Sequence, residues 1–298
     1  MDNDEKRNKI IAISAAGVIM LLLLTFLIFG KGRQEKSNDV TVVCSFYPVY
    51  VLAQNLLEGT GCNVVNMTEN LTGCIHDYQM TTKDMKALDG ASILMVNGGG
   101  MENFLDKVKQ NYPKLQVIEV SAAHTEQENP HIWMSTDFEM DCIDFVSSAL
   151  CDALPDQKDK IRKNAETYGN KIFEGPYKVR LDLSDRIEES GRNIRVICFN
   201  EAFEVFTDSI GLYNIAVFSL DENETPSAAD IAKAIETAKR CDEVVILIEE
   251  ELAFNADKIV EETGAKLIYI DPLTSGNGAD SYIKGMTKNL EAMEDYLK

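Results

Sequence analysis

The sequence predicts an α/β fold made of two parallel-sheet lobes joined by one long helix. Three observations predict it. Short apolar runs rich in β-branched residues alternate with helical stretches, the alternation occurs twice, and a charged helical stretch of about thirty residues separates the two occurrences. Strands that alternate with helices pair in parallel through right-handed crossovers.

The first lobe begins with the β-rich run TVVCSF at 41–46, and a helical pattern then ends at Gly59. The run ASILMVN at 91–97 is apolar throughout, which is typical of a strand buried on both faces of a parallel sheet. The remaining strands are predicted at 62–67 and 115–120, and the following helices at 82–88, 101–110 and 137–153.

The charged stretch at 156–190 is predicted to be helical, with a break at Gly175 and Pro176. Strands are then predicted at 194–199, 213–220, 243–248 and 266–271, and helices at 201–209, 227–240, 252–263 and 282–297. We therefore expect an anchor and tether at 1–39, a first lobe at 40–154, a linker helix at 155–190 and a second lobe at 191–298.

The N-terminal region contains a long apolar run. Residues 10–29 are twenty uncharged, mostly apolar positions, about the length that crosses a bilayer core of ~30 Å. We interpret the run as an uncleaved membrane anchor, with a cleaved signal as the alternative, and residues 34–39 as a polar tether. The remaining residues would form a soluble body held at a membrane face.

Composition excludes some classes of function. The chain has 49 acidic and 29 basic residues, a formal net charge of −20. A surface this acidic repels phosphate backbones, so we expect no nucleic-acid partner. The seven cysteines include no C-x-x-C pair, which argues against a zinc ribbon or a thioredoxin-like site. Cys62 and Cys74 could form a disulfide if the body faces an oxidising exterior.

Few residues are candidates for chemistry at the strand ends. His76 and His131 both fall in loops after predicted strands of the first lobe, at the carboxyl edge of the sheet. Either histidine alone would be an ordinary surface or core residue, but two at one edge favour a metal site. In the second lobe, Asn200-Glu201 and Asp271 follow strands in the same way, although Glu201 could be a helix N-terminal charge and Asp271 a turn residue.

Motifs of catalysis are lacking in the sequence. Gly98-Gly99-Gly100 follows a strand but fits neither phosphate-loop pattern, and neither G-x-S-x-G nor H-E-x-x-H occurs. A cysteine nucleophile with a histidine base stays open, although no local signature supports one.

Seven segments of the chain match the motifs of one known family in the same order. They include IHDYQMTTKDMKALDGASILMVNGGGMENFLDK, which is similar to a PHDYEP-type stretch and its following strand and helix. NPHIWMS resembles DPH-[IV]-W, and FNEAFEVFTDSIGL resembles an S-[HE]-x-AF segment. Over residues 40–298 the chain thus resembles the metal-binding solute-binding proteins of zinc/manganese ABC transporters. The resemblance implies a binding protein and not an enzyme.

The resemblance implies a divalent-metal site between the lobes, formed by His76, His131, Glu201 and Asp271, with Asn200 as the alternative to Glu201. The ligand would be Zn²⁺ or Mn²⁺, delivered to an ABC permease and its ATPase from the extracytoplasmic face of the cell membrane. The family has His or Glu where this chain has Asn200, and Pro and Asp where it has Ile75 and Asn129. These departures motivate an alternative, a surface adhesin-like protein of the same fold with a degraded metal site and no transport role.

Overall fold

The structure is a computed structural model that describes residues 40–69, 75–219 and 225–298, without the side chain of Asp77. Val40–Lys298 form one unit. The predicted membrane anchor at 10–29 and the tether at 34–39 lie outside the described residues. Among the helices that are described, none has the length and apolar character needed to cross a bilayer.

The first lobe is organised around a parallel sheet in the order β2-β1-β3-β4. Val43 lies beside Val65 on one side and Leu94 on the other. The third strand is buried along its whole length, as its unbroken apolar run predicts. The strands are β1 (Thr41–Cys44), β2 (Asn63–Asn66), β3 (Ile93–Val96) and β4 (Gln116–Glu119).

Two helices in the described part of the first lobe begin at a side-chain cap, Thr81 in one and Ser135 in the other. The hydroxyl of Thr81 accepts the N–H of Asp84, and the carboxylate of Asp84 accepts the N–H of Thr81, so one helix starts in a capping box. The helices are α1 (Tyr47–Leu56), α2 (Thr82–Asp89), α3 (Leu105–Asn111) and α4 (Thr136–Ala153).

The glycine loop after β3 is closed by a buried carboxylate. Glu102 accepts hydrogen bonds from the backbone N–H of Asn97 at 2.7 Å and of Gly98 at 2.9 Å, and from the Ser45 hydroxyl at 2.7 Å. Gly98 has a φ of +79°, and a Cβ there would lie 2.7 Å from the Ser121 hydroxyl, so glycine is required. Because Glu102 already accepts from these N–H groups, the loop does not offer them to a phosphate. The helix α3 begins at Leu105, four residues later than the predicted start at 101.

The linker is helical on both sides of a kink. It consists of α5 (Lys158–Ile172), a π-type segment (Phe173–Tyr177) and α6 (Lys178–Ser190). Gly175 has a non-helical conformation, with φ −105° and ψ −112°, and Pro176 follows it. The predicted break at Gly175 and Pro176 is therefore confirmed, and the linker is two helices that meet at a kink.

The second lobe repeats the topology of the first, with a parallel sheet in the order β6-β5-β7-β8. The predicted helix at 252–263 is instead a 3₁₀ segment over Glu250–Ala256 that leads into a short α-helix. The strands are β5 (Ile194–Cys198), β6 (Tyr213–Val217), β7 (Glu243–Ile248) and β8 (Lys266–Tyr269), and the helices α7 (Ala202–Ser209), α8 (Ala228–Ala238), α9 (Asp257–Thr263) and α10 (Ser281–Leu297).

One apolar core includes residues of both lobes and of the linker. It contains Leu94 from β3, Tyr168 from α5, Leu183 from α6 and Leu290 from α10, all buried. A smaller cluster lies around Ile246 in β7. Burial of this apolar surface holds the linker helices against both lobes. This packing fixes the orientation of the strand ends in each lobe. The predicted α/β fold of two parallel sheets is confirmed, and the domain limits at 39, 154 and 190 stay a prediction.

Candidate metal centre

Three candidate metal ligands from the two lobes lie together. His76 and His131 belong to the first lobe and Glu201 to the second, and one ligand atom from each lies within 4.8 Å of the others. Oε1 of Glu201 is 3.8 Å from Nε2 of His76 and 3.9 Å from Nε2 of His131. The two imidazole rings are 5.7 Å apart between centroids. One carboxylate oxygen is thus almost equidistant from two imidazole nitrogens.

His76 is held in a short 3₁₀ turn over Ile75–Asp77. Ile75 is buried and anchors this turn in the core of the first lobe. The backbone carbonyl of His76 accepts a hydrogen bond from the side-chain amide of Asn103. The imidazole of His76 itself keeps 33% of its surface exposed, so it forms the solvent-facing side of the cluster.

His131 forms the buried side of the cluster, and only 3% of the residue is exposed. Its ring lies 5.2 Å from the ring of Trp133. Burial, with a smaller contribution from His76, lowers the pKa of His131 to about 3. The imidazole is therefore neutral near pH 7, the form in which a ring nitrogen binds a metal.

The Asn200 side chain is engaged away from the two histidines. Its carbonyl oxygen accepts the N–H of Ala202 at 2.9 Å, and its amide nitrogen donates to Oε1 of Glu249 at 3.0 Å. Asn200 therefore bonds the N–H of the first residue of α7 from the position before the N-cap, which is Glu201. Glu201, one residue further on, is the side chain of this pair that faces His76 and His131.

Asp271 lies outside the cluster of three described above. It follows β8, its carboxylate accepts the N–H of Leu273 at 2.7 Å, and its side chain is exposed. The buried side chain of Asn289 holds the Asp271 backbone, accepting its N–H at 2.9 Å and donating to its carbonyl at 2.8 Å. The turn is tight, because Leu273 has a φ of +60°. Ligation by Asp271 stays a prediction.

Sequence reasoning missed the residues that support the cluster. Asn129 contacts His131 and α7, and Trp133 bonds to the turn after Asp271. Asn289 lies on α10, eighteen residues beyond the turn it holds. Asn129 and Trp133 lie within two residues of His131, and this proximity is the signal that the sequence offered for them. The sequence offers no such signal for Asn289.

Only one cysteine of the predicted Cys62–Cys74 disulfide lies in the described residues. Cys62 is half-buried just before β2, and Cys74 lies outside the described residues. The bridge therefore stays a prediction.

The donor set fits a divalent transition metal. Two imidazole nitrogens and a carboxylate oxygen are ligands of Zn²⁺, and imidazole and carboxylate also bind Mn²⁺. Around a tetrahedral ion with bonds of about 2.0–2.2 Å, neighbouring ligand atoms lie roughly 3.4 Å apart. The Glu201–histidine distances of 3.8 and 3.9 Å need to contract by only about half an ångström.

The fold and the converging donors define the class of two-lobed solute-binding proteins. Within this class, the family model described as zinc-uptake complex component A, periplasmic (ZnuA), matches residues 42–296. The chain belongs to this family. The family comprises the binding component of an uptake complex and not an enzyme, as the resemblance implies. The resemblance to metal-binding solute-binding proteins is confirmed.

Individual relatives agree with this assignment. The chain is 24% identical over 304 residues to the zinc-binding lipoprotein AdcA of Streptococcus pneumoniae (strain ATCC BAA-255 / R6), covering 92% of this chain but only 59% of that relative. It is 23% identical over 281 residues to the manganese-binding lipoprotein MntA of Halalkalibacterium halodurans, covering 87% of this chain and 89% of the relative.

Solved structures share the fold. The Mn²⁺ complex of the solute-binding protein FpvC from Pseudomonas aeruginosa has a TM-score of 0.75 and 21% sequence identity. The match covers 87% of this chain and 100% of that one. At this level of identity the likeness shows the architecture of two α/β lobes.

Proposed function

We propose that this protein binds one Zn²⁺ or Mn²⁺ ion between its two lobes and delivers it to the permease and ATPase of an ABC importer. The metal is the transported substrate, and His76, His131 and Glu201 are its ligands. The single observation that carries the proposal is the position of Glu201 Oε1, within 3.9 Å of both imidazole Nε2 atoms, although the three residues come from different lobes.

Asp271 is proposed as the fourth ligand. Two neutral imidazoles and one carboxylate leave a divalent ion with one uncompensated positive charge, and a second carboxylate would neutralise it. Asp271 directly precedes Pro272, whose carbonyl accepts a hydrogen bond from Trp133, two residues after His131. A small closure of the lobes would bring the Asp271 carboxylate to the ion.

The relatives support the transport role over the adhesin-like alternative. AdcA is named for zinc and MntA for manganese, and the family is described as part of a zinc-uptake complex. The alternative drew on Asn200 at the position where the family has a stronger ligand. Glu201 faces the histidines in its place, so a charged oxygen ligand is retained.

Membrane attachment is part of the proposal. AdcA and MntA are named lipoproteins, which places them at a membrane. We propose that this chain is held at the extracytoplasmic face of the cell membrane through residues 10–29, with residues 34–39 as a tether.

The test is metal stoichiometry on the full chain in detergent. The protein is stripped with a chelator, equilibrated with Zn²⁺ or Mn²⁺, and analysed by mass spectrometry for bound metal. We expect one ion per chain in the wild type and none in the variant His76→Ala/His131→Ala. The matched control is His124→Ala, because His124 is the third histidine and lies outside the cluster.

A thermal scan gives an independent measurement. A metal at a hundred times its dissociation constant should add about 2.7 kcal/mol to the stability of the wild type. A wild-type protein that neither retains metal nor gains stability from Zn²⁺ or Mn²⁺ would contradict the proposal and favour the adhesin-like alternative.

A further inference from the structure

The side chain of Asn129 connects the two lobes beside the candidate metal centre. Its carbonyl oxygen accepts hydrogen bonds from the backbone N–H of His131 at 3.1 Å and from the ring Nδ1 of His131 at 2.7 Å. Its amide nitrogen donates to the backbone carbonyl of Glu201 at 3.0 Å and to Oε2 of Glu204 at 3.1 Å. One side chain thus bonds a candidate ligand of the first lobe and the start of α7 in the second.

The partners of Asn129 fix which way round its amide lies. A backbone N–H can only donate, so the atom that faces the His131 backbone is the oxygen. A backbone carbonyl can only accept, so the atom that faces Glu201 is the nitrogen. Neither assignment depends on the protonation of a side chain.

This orientation determines the tautomer of His131. The ring Nδ1 faces an oxygen that carries no hydrogen, so Nδ1 must hold the proton of the neutral imidazole. The lone pair is then on Nε2, the nitrogen that lies 3.9 Å from Glu201 Oε1. A partner on the second nitrogen commonly orients a metal-binding histidine in this way.

We propose that Asn129 is a positioning residue, which holds His131 in the tautomer that binds metal and, with the other end of the same amide, holds α7 so that Glu201 faces that histidine. We call this set of contacts the Asn129 bridge: Asn129 with His131, Glu201 and Glu204. The bridge couples the geometry of the metal centre to the closure of the two lobes. The metal-binding part of this inference rests on the proposed function above.

An aspartate could not form the bridge. Its carboxylate could accept from His131, but it has no donor for the Glu201 carbonyl. It would also place a negative charge about 3 Å from the carboxylate of Glu204. Asparagine satisfies both lobes because it carries an acceptor and a donor on one side chain.

The test is a double-variant cycle on the full chain in detergent, with Zn²⁺ affinity measured by competition against a chromophoric chelator. The variants are Asn129→Asp, Glu204→Gln and the two together. Asn129→Asp should weaken zinc binding at least several-fold, because the aspartate keeps its bond to His131 but loses its donor to the Glu201 carbonyl and repels Glu204. Glu204→Gln alone keeps an acceptor for Asn129 and is the reference against which the double variant is compared.

The double variant separates coupling from general damage. In Asn129→Asp/Glu204→Gln the glutamine amide can donate to the aspartate, so we expect zinc binding at least several-fold tighter than in Asn129→Asp alone. Equal binding by Asn129→Asp and wild type would overturn the inference. So would a loss in Asn129→Asp that Glu204→Gln does not relieve.

A metal-free measurement keeps the inference testable if the protein binds no metal. With ¹⁵N-labelled histidine only three imidazoles are observed, and His76→Ala and His124→Ala assign them. We expect the Nδ1–H tautomer for His131 in the wild type and a mixture of tautomers in Asn129→Ala. An unchanged Nδ1–H tautomer in Asn129→Ala overturns the bridge. Failure of the wild type to bind zinc, with this tautomer effect intact, overturns only the proposed function.

Discussion

The indole nitrogen of Trp133 donates a hydrogen bond to the backbone carbonyl of Pro272, 2.8 Å away. Trp133 lies two residues after His131 in the first lobe, and Pro272 directly follows Asp271 in the second. This bond therefore joins the loops that carry two predicted metal ligands. Any separation of the lobes at this point must break it or carry both loops along.

Replacing Trp133 by phenylalanine tests the energetic role of this bond. Trp133→Phe keeps an aromatic ring against Phe46 and His131 but leaves the Pro272 carbonyl without its donor. The bond is part-buried, so leaving the acceptor unpaired should cost less than the ~1–3 kcal/mol of a fully buried one. We expect zinc affinity to fall by roughly tenfold, measured by chelator competition. An unchanged affinity would mean that the bond forms equally well in the open and the closed protein.

The emission of Trp133 gives a direct signal of metal binding. It is the one tryptophan of the chain and lies 5.2 Å from the ring of His131. We expect its fluorescence to change on addition of Zn²⁺ to the wild type, with one ion per chain at saturation. His131→Ala should abolish this titration, and His124→Ala should leave it intact. A signal that survives in His131→Ala would place the metal elsewhere.

We expect substitutions of Glu201 and of Asn200 to differ in their effects on zinc affinity and on stability. Glu201→Gln removes the charged oxygen that faces both histidines, so zinc affinity should fall more than the roughly 10–100-fold seen for indirect partners. Asn200→Ala removes the side-chain acceptor of the Ala202 N–H and should cost about 1 kcal/mol of stability while changing affinity only a few-fold. Zinc titration and chemical denaturation of both variants check this. The opposite pattern would assign ligation to Asn200.

Asp271 is testable without disturbing its turn. Asp271→Asn keeps an oxygen for the Leu273 N–H but removes the charge. If Asp271 is the fourth ligand, zinc affinity falls while the unfolding free energy without metal stays within about 0.5 kcal/mol of the wild type. Asn289→Ala, which removes both bonds to the Asp271 backbone, should lower stability as well. Wild-type affinity in Asp271→Asn would remove Asp271 from the ligand set.

The fold and two of the three clustered residues were predictable for specific reasons. The strand β3 is buried on both faces, and its apolar run shows this directly in the sequence. His76 and His131 stood out because the chain has only three histidines and both follow strands of one sheet. The carboxyl ends of parallel strands meet at one edge, so chain order alone brings these two residues together.

The choice between Asn200 and Glu201 was not predictable, because it depends on where α7 begins. The Asn200 side chain turns toward the Ala202 N–H, and Glu201, the N-cap residue of α7, faces the histidines. The roles of Asn129 and Asn289 depend on contacts with residues 75 and 18 positions away. Such contacts follow from the packing of whole elements and leave no periodic signal in the sequence.

The buried carboxyl of Glu139 in α4 predicts a pH dependence of stability separate from the metal centre. Only 5% of the residue is exposed, and the Tyr168 hydroxyl donates to it at 3.5 Å. Burial raises the pKa of Glu139 to about 8. Burial, followed by the charge of Glu139, raises the pKa of Tyr282 in α10. Glu139 is therefore near titratable groups of both α5 and α10.

The sign of the effect follows from the raised pKa. Between the unfolded pKa, near 4.3, and about 8, the folded protein keeps a proton on Glu139 that the unfolded chain releases. The stabilisation is therefore complete below the unfolded pKa and is lost as the pH rises through about 8, by at most about 1.4 kcal/mol per pH unit. His131, whose pKa is lowered to about 3, acts in the opposite direction but only below about pH 6.5.

Glu139→Gln isolates this contribution, because glutamine has nearly the same shape and does not titrate. We expect the unfolding free energy of the wild type, measured by denaturant in the presence of a chelator, to fall between pH 6.5 and 8 relative to the variant. The comparison above pH 6.5 avoids the titration of His131, and the chelator removes any stabilisation by metal. Parallel profiles for the two proteins over this range would show that Glu139 is ionised in the folded state, with its charge compensated by Tyr168 or another neighbour.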